Sequence, residues 1–404
     1  MSGARSTRVL SYSHDGYGLG HLRRTLALLS GLLEEAPGVS VLAATGSTAA
    51  LRFPCPAAVD YLKLPALTKD DTGRYVADVL DIPVEQLFEL RASLLEAAVG
   101  AFRPDLALID HYPLGVHREL DRALRRLRRD DQARLVLGLR DILDDPVNVC
   151  NGWRAAGHLD AIPALFDHVL VYGDARIYDP VAEYGLDDVT AEKIIFTGYL
   201  VPERSRVPAE DVLAGRRRAV CTLGGGKDAP ATAWAFVEAV NEHLASDWDG
   251  LLVTGPLMAP PDVARLRVTA AGTRVSVVEF LPDVASALAT ADVTVCMGGY
   301  NTMCDVLSVA APTVVVPRVH PRSEQLIRAR AFADREVVRV LHPDQMSPVS
   351  LGSAMLLEAA RNRKDIYQAV TAGFAVDGLA VASRALAGML PAAAKIAAAE
   401  RVAS

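Results

Sequence analysis

Residues 280–325 read FLPDVASALATADVTVCMGGYNTMCDVLSVAAPTVVVPRVHPRSEQ, and this stretch decides the fold. Asp292 to Met297 has the apolar run of a buried strand. Gly298-Gly299 lets the backbone turn tightly and approach a ligand closely. Asn301 and Thr302 then cap and open a helix whose first amides would receive phosphate oxygens. Asp305 lies one turn further on, where a ribose would hang from a phosphate held there. A second strand, Pro312 to Val316, leads to Glu324 and Gln325, a carboxylate and an amide suited to sugar hydroxyls.

The same alternation of short apolar runs with helical patterns continues in both directions, the signature of parallel sheets with crossover helices. Upstream in the second half, strands are expected at Arg218 to Leu223, Gly250 to Thr254 and Arg274 to Glu279, and downstream at Val337 to Leu341. The first half offers Arg8 to Ser13, Val39 to Ala43, Val59 to Leu64, Asp105 to Ile109, Arg134 to Leu139, His168 to Tyr172 and Lys193 to Phe196. Between the first two of these, Leu22, Leu26, Leu29 and Leu33 recur at helical spacing and give a helix with one buried face. Turn residues and charges in Gly198 to Pro208 break the periodicity and mark the join. From Leu351 onward the chain reads as Ala-rich helices.

Length and composition agree with this division. At about 100–200 residues per domain, 404 residues suggest two or three domains, two being the natural reading. With 51% hydrophobic and 23% charged residues the mixture is that of a globular chain. A net charge of −7 gives no reason to expect nucleic acid. The basic run Arg122 to Arg129, RALRRLRR, reads either as the solvated face of a helix or as a docking patch. The five cysteines contain no C-x-x-C pair, so neither a disulfide framework nor structural zinc is expected. No apolar run reaches the roughly 18 residues of a spanning helix, and the N-terminal residues lack a signal-peptide core; a cytoplasmic protein is expected.

Three glycine-rich or acidic motifs bear on chemistry. Gly16-Tyr17-Gly18-Leu19-Gly20-His21 follows the first strand. Its G-x-G-x-G spacing, with no acid closing the second strand, disfavours a dinucleotide site. Leu223-Gly224-Gly225-Gly226-Lys227 follows the first strand of the second half and puts bare amides near a diphosphate. Asp247-Trp248-Asp249 has the D-x-D form of a metal-binding motif, yet it precedes a strand and so falls on the sheet edge opposite the binding crevice; a surface turn is the better reading.

The spaced residues of the opening stretch resemble the donor half of the GT-B glycosyltransferases, and among them the MurG-type enzymes that use UDP-sugars. Gly299, Thr302, Asp305, His320, Glu324 and Gln325 occupy that family's turn, ribose and sugar positions, with Asp305 where a Glu is usual and Glu-Gln where Gln-Gln or Asp-Gln is common. Gly20-His21 matches the end of the family's first glycine-rich loop. Thr197-Gly198 is similar to its hinge, and Phe280-Leu281 to the segment that pairs with the nucleobase.

The resemblance implies an α/β protein of GT-B architecture, two doubly wound Rossmann-like domains facing a central cleft. Residues 1–197 would bind the acceptor and 198–385 the nucleotide sugar, with a helical tail at 386–404 crossing back to the first domain. It implies a metal-independent, inverting transfer from a nucleotide-sugar co-substrate, a UDP-sugar, to a small-molecule or lipid-head-group acceptor, with no further cofactor. His21 is the candidate base that takes the acceptor's proton, with His14 and Asp15 as fallbacks. Asp110, at the end of a strand, would hold its tautomer. Gly18, Gly20, Gly224, Gly225, Gly226, Phe280, Leu281, Gly298, Gly299, Asn301, Thr302, Asp305, His320, Glu324 and Gln325 are the candidate donor contacts. A hydrolase or epimerase of nucleotide sugars, or a non-catalytic nucleotide-sugar binder, would share the donor half. The loops 65–84 and 141–157 would shape the acceptor pocket, a soluble acceptor being preferred.

Overall fold

The computed structural model describes residues 6–14, 20–48, 50, 55–70, 74–131, 133–202 and 215–391. They fall into two compact units. The first takes the chain to Asp141, then Pro146–Gly198 and the tail from Asp377; the second takes Ile142–Asp145 and Tyr199–Val376.

In the first unit, β1 (Arg8–Ser13), β2 (Ser40–Thr45) and β3 (Val59–Lys63) are followed by a small hairpin of β4 (Leu67–Lys69) and β5 (Tyr75–Ala77). Then come β6 (Leu106–Asp110), β7 (Arg134–Arg140), β8 (His168–Tyr172) and β9 (Ile194–Phe196). The seven-stranded sheet runs β3-β2-β1-β6-β7-β8-β9 and is parallel throughout. Its central strands are apolar on both faces because helices cover both; all five residues of β6 are buried. The antiparallel β4–β5 hairpin lies in the loop expected at 65–84. Its strands are three residues long, too short to show alternation.

Helix Gly20–Glu35 buries Leu22, Leu26, Leu28, Leu29 and Leu32. Gly31 on this helix meets Ser383 of helix Gly378–Met389 so closely that a Cβ would lie 2.1 Å from the Ser383 hydroxyl oxygen. The expected boundary at 385 therefore falls inside a helix that belongs wholly to the first unit. The stretch Arg363–Met389 averages 1.3 in hydropathy over its most apolar 18 residues, but Phe374–Asp377 divides it into two helices. The basic run forms helix Asp121–Arg129, which buries Ala123, Leu124 and Leu127. Its arginines meet carboxylates: Arg122 with Glu89 and Glu96, Arg125 with Asp121, Arg128 with Asp167.

The second unit carries β10 (Arg217–Thr222), β11 (Trp248–Val253), β12 (Val275–Val278), β13 (Val293–Cys296), β14 (Thr313–Val315) and β15 (Arg339–Val340) in the order β12-β11-β10-β13-β14-β15, again all parallel. Phe236, Val240, Trp248, Leu252 and Met355 belong to its core. In each sheet the strand order reverses beside the first strand, between β1 and β6 and between β10 and β13. In open parallel sheets, ligands bind at the carboxyl ends of strands at such switch points.

Candidate active site

In the first unit the switch point brings together residues 89 positions apart. His21, in the first turn of helix Gly20–Glu35, places Nδ1 2.6 Å from Oδ2 of Asp110, the last residue of β6. Asp110 is 2% exposed, while the His21 side chain keeps 18%. Arg24, one turn further along the helix, grips both carboxylate oxygens, at 2.8 and 2.7 Å from one nitrogen. Burial alone would raise the Asp110 pKa, but the Arg24 charge and the His21 hydrogen bond outweigh it and hold it at about 2. Asp110 is therefore a carboxylate at neutral pH, fit to accept the Nδ1 proton and leave Nε2 of His21 as the basic nitrogen.

Aromatic and imidazole rings surround this pair. His14 lies 6.1 Å and His111 5.1 Å from the His21 ring centroid, and Tyr112 packs edge-on to both. His14 Nε2 is hydrogen-bonded to the Tyr75 hydroxyl of the hairpin at 3.0 Å, and His117 stacks on Phe88. Burial first, then the charges of His21 and Arg91, push His14 well below the usual imidazole range. The fallback base is thus a buried, hydrogen-bonded ring. Asp15 and Gly18 lie outside the described residues.

Beneath the hairpin, Glu119 takes two nitrogens of Arg91, at 2.6 and 2.8 Å, and the Tyr12 hydroxyl at 2.5 Å. Arg91 also donates to the Pro65 carbonyl at 2.5 Å. All three polar side chains are buried, and the cluster fixes the approach to the hairpin. Sequence reasoning missed Arg24, Arg91 and Glu119; the signal for Arg24 was its i, i+3 spacing from His21 on an otherwise leucine-rich face.

In the second unit, both glycine turns follow adjacent strands at the switch point. After β10, Gly224 is exposed, Gly225 half-buried and Gly226 buried. Gly226 serves the fold: its φ is +90°, its amide bonds the Leu223 carbonyl, and a Cβ there would lie 2.1 Å from the Thr254 carbonyl oxygen. Gly224 and Gly225 are the part of the triplet that faces outward. After β13, Gly298 has φ +77° and its carbonyl accepts from the buried Arg328 at 3.1 Å. The following helix is Tyr300–Val309, and Gly299, not Asn301, is its N-cap residue; Asn301 and Thr302 belong to the first turn and are half-buried. Asp305, one turn further on, is 1% exposed and belongs to the buried face of this helix.

The remaining donor candidates lie on two further loops. Phe280 is exposed and Leu281 half-buried in the turn between β12 and helix Val284–Ala289. His320 is exposed, and Glu324 and Gln325 open helix Glu324–Ala333. Arg318 organises this loop: it meets Glu324 at 2.5 Å and Asp228, beside the glycine-rich loop, at 2.9 Å. Its backbone amide donates to the Gln325 side-chain oxygen at 2.9 Å. Glu324 is 4% exposed, and its second oxygen has no partner among the described residues. Ser323 is anchored by the Asp144 carboxylate at 2.8 Å. The D-x-D residues lie at the amino-terminal end of β11, where Asp249 is gripped twice by Arg216 at 2.6 Å.

Two doubly wound parallel sheets, each with its candidate residues at a switch point, define the GT-B class of fold, and solved structures of that class match over almost the whole chain. A glycotransferase of kitacinnamycin matches at TM-score 0.64 and 18% identity, over 96% of this chain and 100% of its own. Acinetobacter baumannii MurG matches at 0.58 and 14%, over 95% and 99%. Residues 233–380 match the glycosyltransferase family 28 C-terminal domain. A UDP-N-acetylglucosamine–N-acetylmuramyl-(pentapeptide) pyrophosphoryl-undecaprenol N-acetylglucosamine transferase of Corynebacterium efficiens is 25% identical over 66% of this chain and 73% of its own. The transferase of the same description from Histophilus somni is 27% identical over 23% of this chain, a match spanning 28% of that relative's length.

Proposed function

We propose that the chain is a cytoplasmic glycosyltransferase that moves a sugar from a nucleotide diphosphate, a UDP-sugar, to a hydroxylated acceptor, with inversion and without a metal. The observation that carries the reading is the His21–Asp110 hydrogen bond at the first switch point. Nε2 of His21 takes the proton of the acceptor hydroxyl as that oxygen attacks the anomeric carbon and the bond to the diphosphate breaks. Asp110 balances the imidazolium that forms. The departing diphosphate gathers negative charge, which the backbone at Gly224 and Gly225 and the first-turn amides of helix Tyr300–Val309 would receive. Glu324 and Gln325, fixed by Arg318, would hold donor hydroxyls, and the exposed Phe280 would offer a surface to the base. The relatives' description names a lipid-linked acceptor. The rings of Tyr75, Phe88, Tyr112 and His117 fit the apolar part of such an acceptor as well as that of a soluble aglycone.

Thermal melting tests the donor assignment. UDP at about 100 times its dissociation constant should stabilise the protein by roughly 2.7 kcal/mol without added metal, and NAD should not. Protection by NAD and none by UDP would refute it. His21→Ala should keep the UDP shift while turnover falls about a hundredfold or more.

A further inference from the structure

An imidazole hydrogen-bonded to a buried carboxylate holds its proton tightly, because the opposite charge favours the imidazolium. A base already protonated accepts nothing, so the 2.6 Å contact between His21 and Asp110 raises a problem that the rest of the cluster answers. Arg24 is one helical turn from His21, is 3% exposed at its side chain, and bonds both Asp110 oxygens. The same Arg24 nitrogen is 3.0 Å from Nδ1 of His21. A guanidinium keeps its charge throughout the working pH range, and its planar fork suits a carboxylate. Among the described residues the rings of His14 and His111 also face His21, and the Tyr172 ring lies 5.7 Å from the Arg24 guanidinium carbon. Arg24 is the fixed cation in this group.

We propose that Arg24 is a positioning residue that sets the charge state of the base: by sharing Asp110 with His21, it keeps the imidazole neutral and ready to take the acceptor's proton. The proposal rests on the transferase reading for the purpose of the neutral ring, but not for its existence. Asp110 then orients the ring without charging it, and the carboxylate's negative charge is delivered to the imidazolium only as the proton arrives.

The test follows the His21 ring by 15N NMR through a pH titration, with His21→Gln identifying its signals, alongside the pH dependence of kcat/KM. In Arg24→Gln the titration midpoint should move up by one unit or more relative to the unsubstituted protein, and the acidic limb of kcat/KM should move with it. Arg24→Lys keeps the charge without the fork and should stay within about a third of a unit. A folded Arg24→Gln variant with an unmoved midpoint overturns the proposal. So does an Arg24→Lys midpoint that moves up by a unit, which keeps the test decisive if Arg24→Gln does not fold. A displaced ring titration in a protein that transfers no sugar to any acceptor would sink the functional reading and leave Arg24's role standing.

Discussion

Arg318 reaches Asp228 across 2.9 Å, which ties the loop after β14 to the glycine-rich loop after β10. The same guanidinium holds Glu324, so two loops expected to touch different parts of a nucleotide sugar share one cation. Arg318→Ala removes the tie and leaves Glu324 buried without its partner. The donor KM should rise about tenfold with a smaller change in kcat, because the loss falls on binding. Stability should drop by about 1–3 kcal/mol, the cost of stranding a buried acceptor. Steady-state kinetics at saturating acceptor, with a denaturation curve beside them, measure both.

Gly226 and Gly299 should separate a structural glycine from a ligand-facing one. A Cβ at Gly226 collides with the Thr254 carbonyl at φ +90°, so Gly226→Ala should cost about 2 kcal/mol or more. Gly299 has φ −62° and nothing within 4 Å of its added Cβ, so Gly299→Ala should fold with native stability. Its methyl would stand at the mouth of the helix, and UDP affinity should fall about tenfold. Native UDP affinity in Gly299→Ala would argue against a phosphate at that helix end.

His158 gives the first unit a dependence on pH. Burial first and then the Arg118 charge push its pKa down to about 4, so the folded protein holds it neutral while the unfolded chain takes up a proton near 6.5. The unfolded state therefore binds more protons between those values, and stability falls as pH drops from about 6.5 to 4, by up to roughly 3 kcal/mol. His14, also pushed down by burial, acts in the same sense. Urea midpoints at pH 7 and pH 5 should differ less in His158→Phe than in the unsubstituted protein.

Glu119 is the hub beneath the hairpin. Its replacement by Gln breaks a buried pair with Arg91 and should cost about 3–5 kcal/mol. The Arg91 hold on Pro65 should loosen with it, so hydrogen exchange in β4 and β5 should quicken more than at β1 or β6.

Much of this was legible in the sequence. All thirteen strands of the two sheets overlap expected strands, and the central ones, such as β6 and β13, are the clearest because strands buried on both faces need no alternation to be seen. Gly298-Gly299, Gly224-Gly225 and the His21–Asp110 pair were legible from position at strand ends. The β4–β5 hairpin was not, because its strands pair only with each other, and three residues carry no period. Arg24, Arg318 and Glu119 were hidden because surface-type residues reveal a buried role only when the fold closes over them. Asp305 was legible as a helix residue one turn after Thr302, but its burial was not, because spacing alone does not show which face of a helix packs.

Nucleotide release measured with and without acceptor tests the central claim most directly. With a UDP-sugar alone, UDP should appear slowly. With the right hydroxylated acceptor release should accelerate, and mass spectrometry should find the sugar on the acceptor. Rapid release of free sugar that no acceptor alters, a sugar returned with changed stereochemistry, or binding without turnover would each contradict a transferase.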